Sequence, residues 1–418
     1  MNSPIPHTVE TLTKIMDLQN NTTECRGSPA NGRRAQSVRP PLHVMLTVNA
    51  AWNVWNFRRP VVKALLEAGH RVTILAPDGE RAEDLRAMGC RFVPLEMNVK
   101  GLNPVQDYRL MQRFTRIFYT EAPDVVLSYT IKNNLFGAMA ARTCGIPFIP
   151  NVTGLGTAFL SGGALQRVAE ILYRRAFRNL QTVFFQNSDD RDLFIARQLV
   201  TAEQAHILPG SGIDLEDFPV APYSAGANET RFLLIGRLLR DKGIHEYIGA
   251  ARRLKAKGIP ARFQLLGAAG SENRTAISRE TLADWEAEGV VEYLGTTSDV
   301  RPHIAQAHCV VLPSYREGAP RTLIEAASMA RPLIASNVPG CTTVVDDGVN
   351  GYLCTVKSGE SLAEACIRFV RLPEVEKVAM GLSGRAKMVA EFDQAIVVAA
   401  YKKEIAARTS KRTPYFRR

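Results

Sequence analysis

Two glutamates, an arginine and a lysine carry the chemistry that this sequence offers most plainly. Glu317 and Glu325 stand eight positions apart in the stretch VVLPSYREGAPRTLIEA, from Val310 to Ala326. Arg237 and Lys242 stand five apart in RFLLIGRLLRDKG, from Arg231 to Gly243. A guanidinium is a planar fork and an ammonium a point charge, so the pair suits a diphosphate. A carboxylate is repelled by phosphate, which leaves Glu317 and Glu325 as acceptors for neutral hydroxyls, one set on a sugar and one on a ribose. The competing readings are a capped surface helix with two solvated acids, and a pair of solvated surface cations.

The elements that must position these groups follow from the same stretches. Cys309 to Leu312 reads as a buried strand, Ser314 to Gly318 as a turn, and Pro320 onward as a helix with proline in its first turn. Unpaired N–H groups and the positive end of the dipole point out of such a helix start. Gly318, Pro320, Arg321, Thr322 and Leu323 therefore frame an anion site. Upstream, a strand ends at Gly236, and Arg237 and Lys242 follow it before a helix that runs through Lys257. In open α/β sheets that edge of a strand is where ligands bind.

Together, the Gly-Arg-Leu-x-x-x-Lys-Gly run (236 to 243) and the Glu-Gly-x-Pro-Arg-Thr-Leu-x-Glu-Ala run (317 to 326) resemble the nucleotide-sugar site of the family 4 (group 1) glycosyltransferases. Asn337 to Cys341 and Asp347 to Leu353 are similar to that family's last phosphate-side loop and strand, and Pro209 to Phe218 to its interdomain segment. Ser128 to Asn134 and Val152 to Gly156 resemble the acceptor half of members that build polyprenyl-linked bacterial polysaccharides. The resemblance implies a GT-B fold, an α/β architecture of two Rossmann-like doubly wound domains facing across a cleft. It implies a nucleotide-sugar donor, UDP-linked hexose or N-acetylhexosamine, and a polyprenyl-diphosphate-linked saccharide acceptor. It further implies that Glu317 binds the donor sugar and Glu325 the ribose, with retention of anomeric configuration. Arg237, Lys242 and the helix start would stabilise the departing diphosphate, so that no metal and no cofactor is expected. On the other half, the small residues of the loop holding Asn49 and Ala50 let backbone approach the donor, and Lys132, Asn133, Gly154 and Gly156 fall on the acceptor side. Two departures from the pattern stand out. Tyr129-Thr130-Ile131 replaces the histidine that some relatives carry before the Lys-x-Asn stretch, and Thr342-Thr343 replaces charged residues.

With 418 residues and 46% hydrophobic content, the chain can fill two cores. The net charge is +11, which suits anionic partners: nucleotide diphosphates, anionic lipid head groups or nucleic acid. No module with interleaved aromatics marks a nucleic-acid binder. Seven dispersed cysteines without a C-x-x-C spacing read as reduced core thiols of a cytosolic protein. No apolar run suits a transmembrane helix, and the first forty residues lack the apolar core of a signal peptide. Asp190-Arg191-Asp192 has the form of a metal-holding Asp-x-Asp, yet it opens a helix after Asn187-Ser188, where capping accounts for the acids.

Strand patterns near 42–48, 71–76, 91–95, 124–128, 147–152 and 182–186 alternate with helical ones, the first of which runs on from the Asn49 loop through Glu67. A second set lies near 231–236, 261–267, 290–294, 308–312 and 332–336. Alternation of this kind implies parallel, doubly wound sheets. The expected parts are a disordered extension (1–40), an acceptor-binding domain (41–208), a linker (209–228), a donor-binding domain (229–390) and a last segment (391–418). By analogy with the family, that segment's helix crosses back to the first domain. Basic residues on two helical stretches, Arg109, Arg113 and Arg116, then Arg167, Arg174, Arg175 and Arg178, suit peripheral attachment to an anionic membrane surface on the cytoplasmic face. The rival readings are a GT-B-type sugar-nucleotide epimerase, which needs no acceptor, and a non-catalytic scaffold subunit.

Overall fold

The computed structural model describes residues 40–99, 103–155, 163–223, 226, 228–270, 273 and 275–410. Residues 1–39 of the expected extension and Gly156 lie outside these. The runs His43–Thr47, Val125–Tyr129, Phe148–Val152, Cys309–Leu312 and Leu333–Ser336 become strands buried on both faces, as the middle of a parallel sheet requires. The first sheet holds β1 (His43–Thr47), β2 (Arg71–Ala76), β3 (Arg91–Pro94), β4 (Val125–Tyr129), β5 (Phe148–Val152), β6 (Val183–Phe185) and β7 (Ala205–Ile207). Its order is β3-β2-β1-β4-β5-β6-β7, and every pair is parallel. The second holds β8 (Thr230–Ile235), β9 (Ala261–Leu266), β10 (Glu292–Tyr293), β11 (Cys309–Leu312), β12 (Leu333–Ser336) and β13 (Gly351–Cys354). It runs β10-β9-β8-β11-β12-β13, again parallel throughout.

In each sheet the chain winds outward to one edge and then returns to the far side of its first strand. The order reverses between β1 and β4 and between β8 and β11. Loops leaving the carboxyl ends of such neighbours diverge to opposite faces and open a crevice, which is where open α/β sheets bind ligands.

Four local features depart from the sequence reading. The first helix breaks in two at Arg58, giving Ala51–Phe57 and Arg59–Glu67, because Pro60 starts a new helix. Arg58 is buried there with its guanidinium 4.2 Å from the ring centre of Tyr129. A seventh strand, β7, is mostly exposed and has no apolar run to mark it. A π-turn at Met388–Phe392 separates the last two helices. Finally, the segment after Leu208 is held tightly: the Ile213 amide donates to Phe392 O (2.8 Å) and the Gln394 amide to Ile213 O (3.0 Å). The two passages of the chain between the sheets thus run side by side.

The Gln394–Thr409 helix ends on the first sheet, against the Arg59–Glu67 helix and β4. Tyr401 is fully buried between Tyr129 and Phe184, its hydroxyl accepting from Asn151 Nδ2 at 3.0 Å. Glu404 accepts from Thr182 Oγ1 (2.6 Å) and Arg408 (2.8 Å).

Candidate active site

Both signature stretches hang from the switch point of the second sheet. Gly236 leaves β8 and Pro313 leaves β11, and these strands are neighbours. Lys242 closes a 3-10 turn (Arg240–Lys242), and its ammonium pairs with Glu317 Oε1. The loops are also joined by main chain, the Tyr315 amide donating to Asp241 O at 2.9 Å. Gly340 closes the pocket behind Glu317. Its φ is +82°, and a Cβ there would lie 2.6 Å from the carbonyl oxygens of both Glu317 and Gly318, so no other residue fits.

The second glutamate has its own cation. Arg321 Nε donates to Glu325 Oε1 at 2.7 Å, one turn along the Arg321–Ser328 helix. Burial holds the Glu325 carboxyl above its ordinary range, and the charge and hydrogen bond of Arg321 oppose that rise. The same guanidinium donates to Ser211 Oγ (3.1 Å) and lies 5.6 Å from the ring centre of Phe57. Arg321 therefore bridges the interdomain segment, the first half of the chain and the second glutamate.

Arg237 is exposed and forms no ion pair among the described residues. Its guanidinium is thus available to an anion. Pro320 caps the helix, and the amides of Arg321 and Thr322 have no backbone acceptor among the described residues. Leu323 departs from the expectation: its amide donates to Pro320 O at 3.0 Å and its side chain is buried. The helix start offers two free N–H groups, because the first turn tightens on itself. Thr322 Oγ1 donates to Ile235 O at 3.3 Å, tying the helix to β8.

Asn49 and Ala50 follow β1, and Lys132 and Asn133 follow Tyr129 of β4, so both pairs sit at the switch point of the first sheet. Ala50 opens the helix that carries Phe57 to Arg321. Asn133 is fully buried, donates to Thr47 Oγ1 at 2.8 Å and accepts from Thr130 Oγ1 at 2.8 Å, so it braces β1 from the acceptor side. Lys132 pairs with Asp107 at 2.8 Å, with both side chains nearly buried. Gly154 follows β5 on the same edge.

Four site residues escaped the sequence reading. Arg316 pairs with the buried Asp190, Asn187 Nδ2 donates to Gly318 O at 3.0 Å, Tyr315 donates to Glu246 at 2.9 Å, and Ser211 holds Arg321. The Asp-x-Asp stretch is thus accounted for: Asn187 caps its helix through the Asp190 amide, and Asp190 faces an arginine. No group of three or more metal-ligating His, Cys, Asp or Glu occurs among the described residues. Only the flanking positions of the Glu317 motif hinted at these contacts, since their partners lie far off in sequence.

Two cations and two free amides about one crevice, with two carboxylates beside it, suit a sugar carried on a diphosphate. Residues 229–371 match the family model for glycosyl transferases group 1, and residues 54–210 match the glycosyl transferase 4-like domain. The chain belongs to the group 1 glycosyltransferases, and it is an enzyme of the GT-B fold. A Campylobacter jejuni N,N'-diacetylbacillosaminyl-diphospho-undecaprenol alpha-1,3-N-acetylgalactosaminyltransferase is 27% identical over 85% of this chain and 96% of its own length. An Escherichia coli UDP-Gal:alpha-D-GlcNAc-diphosphoundecaprenol alpha-1,3-galactosyltransferase is 25% identical over 67% of this chain and 72% of its own. Among solved structures, a Rickettsia africae glycosyltransferase superposes with a TM-score of 0.71 at 15% identity, covering 90% of this chain and all of that one. An Anabaena protein in complex with UDP and glucose gives 0.70 at 16% identity, covering 88% of this chain and all of that one.

Proposed function

We propose that this enzyme transfers a hexose or N-acetylhexosamine from a UDP-sugar to a polyprenyl-diphosphate-linked saccharide during assembly of a cell-surface polysaccharide. The observation that carries the reading is the Lys242–Glu317 pair, which joins the loop carrying the unpaired Arg237 to the loop that leads into a helix start with two free amides. Arg237 and Lys242 hold the diphosphate. Glu317 and Glu325 accept from hydroxyls of the sugar and the ribose. The acceptor hydroxyl adds to the anomeric carbon on the face that the diphosphate leaves, its proton passes to the departing β-phosphate oxygen as the bond from that oxygen to the sugar breaks, and the charge left on the diphosphate meets these cations and amides. No step calls on a metal ion, and the configuration at the anomeric carbon is retained.

The acceptor half suits a lipid-linked substrate. The Pro104–Glu121 and Gly163–Phe177 helices lie in one layer with the Ile131–Thr143 helix. On the Gly163–Phe177 helix Leu165, Val168 and Ile171 are 40%, 49% and 59% exposed, beside Arg167, Arg174 and Arg175. On the Pro104–Glu121 helix Val105, Tyr108 and Tyr119 are exposed, beside Arg109, Arg113 and Arg116. Apolar and basic side chains presented together match the interface of an anionic leaflet, here the cytoplasmic one. Among the described residues no helix is long and apolar enough to cross a membrane.

The test incubates the protein with UDP-N-acetylgalactosamine or UDP-galactose and an undecaprenyl-diphosphate-linked sugar, with EDTA present. A lipid-linked product extended by one sugar, with the donor's anomeric configuration, is the expected result. Strict Mn²⁺ dependence would sink the metal-free mechanism. An isomerised UDP-sugar formed without acceptor would instead establish an epimerase.

A further inference from the structure

Two residues of the donor loop, Arg316 and Gly318 on either side of Glu317, are held by the first half of the chain. Arg316 forms an ion pair with Asp190, which is 1% exposed. Gly318 O accepts from Asn187 Nδ2 at 3.0 Å, and the same amide nitrogen reaches Asp190 Oδ2 at 3.2 Å. The Gly318 backbone itself lies so close to its neighbour that a Cβ would sit 2.4 Å from Thr153 O. Asn187 is fixed in turn, since its Oδ1 accepts the Asp190 amide at 2.8 Å. Glu317 lies between two anchored residues, with its own side chain pointing at Lys242 of the same half.

A loop leaving a strand is ordinarily mobile, and its carboxylate would sample many rotamers. Here both neighbours of Glu317 are bonded from across the crevice, Arg316 through its side chain and Gly318 through its carbonyl oxygen. We propose that Asp190 and Asn187 are positioning residues: they hold the Arg316–Gly318 segment so that the Glu317 carboxylate is set for the donor sugar only while the two halves of the chain are in contact. A buried carboxylate left without its arginine carries a large desolvation cost, so the Asp190–Arg316 pair breaks only if the contact itself opens. The inference rests on the sugar-transfer reading, and it adds a coupling of domain contact to donor alignment.

The test compares the unaltered protein with Asp190→Asn, Arg316→Gln and the double variant. Amide hydrogen exchange of the Ser314–Thr322 peptide is the readout independent of activity. It should rise at least tenfold in each variant, with strands β8 and β11 still protected. For transfer from a UDP-sugar, kcat should fall about tenfold to a hundredfold with KM for the donor within about threefold, as expected for lost orientation. The double variant should be no worse than the poorer single one, because both remove the same contact. Arg316→Lys should recover part of kcat. Unchanged exchange in the loop would overturn the inference whatever the enzyme turns over. A loosened loop with unchanged kcat would overturn the positioning role. Losses of kcat that follow only a lower Tm would reduce Asp190 to a stabilising residue. If the unaltered protein turns over no UDP-sugar, the sugar-transfer reading fails, and the exchange measurement alone decides whether Asp190 holds the loop.

Discussion

At the scale of single residues, the site is a set of charges whose partners will change when a donor arrives. Lys242 pairs with Glu317, and its two remaining N–H donors can meet a diphosphate oxygen at the same time. Lys242→Ala and Arg237→Ala should each lower kcat by on the order of 10²-fold, measured with a UDP-sugar donor, because each removes charge stabilisation that peaks as the diphosphate departs. Glu325→Gln should instead raise KM for the donor by about tenfold with little change in kcat, since a ribose contact is equal in ground and transition states. A kcat loss as large as that of Lys242→Ala would contradict the ribose assignment. The types and spacing of these four residues stand out in the sequence because each pair lies within a single strand, loop and helix. Asn133 was not legible as a buried brace. Its role depends on β1 lying beside β4, and their partners Thr47 and Asn133 are far apart along the chain.

At the scale of elements, parallel strands set where the loops emerge, and their buried polar groups set how the fold answers to pH. His43 on β1 is 4% exposed; Arg71 Nη2 lies 2.8 Å from its Nδ1, and its Nε2 lies 2.8 Å from Thr73 Oγ1. Arginine can only donate, so Nδ1 accepts and the ring proton sits on Nε2. Burial first, then the charge of Arg71, push the imidazole below its ordinary value of 6.5, against the raising influence of Glu121 and Asp124. The unfolded chain then binds a proton that the folded one refuses. Stability is complete above 6.5 and is lost as pH falls through that value toward the lowered folded one. Urea midpoints at pH 7.5 and 5.5 should differ less in His43→Asn than in the unaltered protein; an equal difference would remove His43 as the cause. The alternation of strands and helices was readable, because apolar runs of 4–6 residues between helical periods leave few other choices. β7 and the break at Arg58 were not, since one is a mostly exposed strand without an apolar run and the other turns on a single proline.

At the scale of the whole molecule, the chain crosses between its halves twice, and both crossings pass beside the donor site. Ser211 of the first holds Arg321, and the second leads through Asp393 into the helix that seals the first sheet. Tyr401→Ala should cost about 3 kcal/mol, as for other large buried aromatics, seen as a lower urea midpoint. A loss below about 1 kcal/mol would show that the helix is not part of the first core. The helical pattern of that segment was evident from sequence, whereas the surface it covers depends on contacts with Asn151 and Thr182 that no local pattern encodes. The central claim, that one crevice holds a nucleoside diphosphate by protein cations without a metal, is tested most directly by calorimetric titration of UDP in EDTA. The account predicts one site per chain, bound with EDTA present and weakened at least tenfold by Lys242→Ala or Arg237→Ala. Binding that appears only with Mn²⁺, or that survives the loss of both cations, would contradict it.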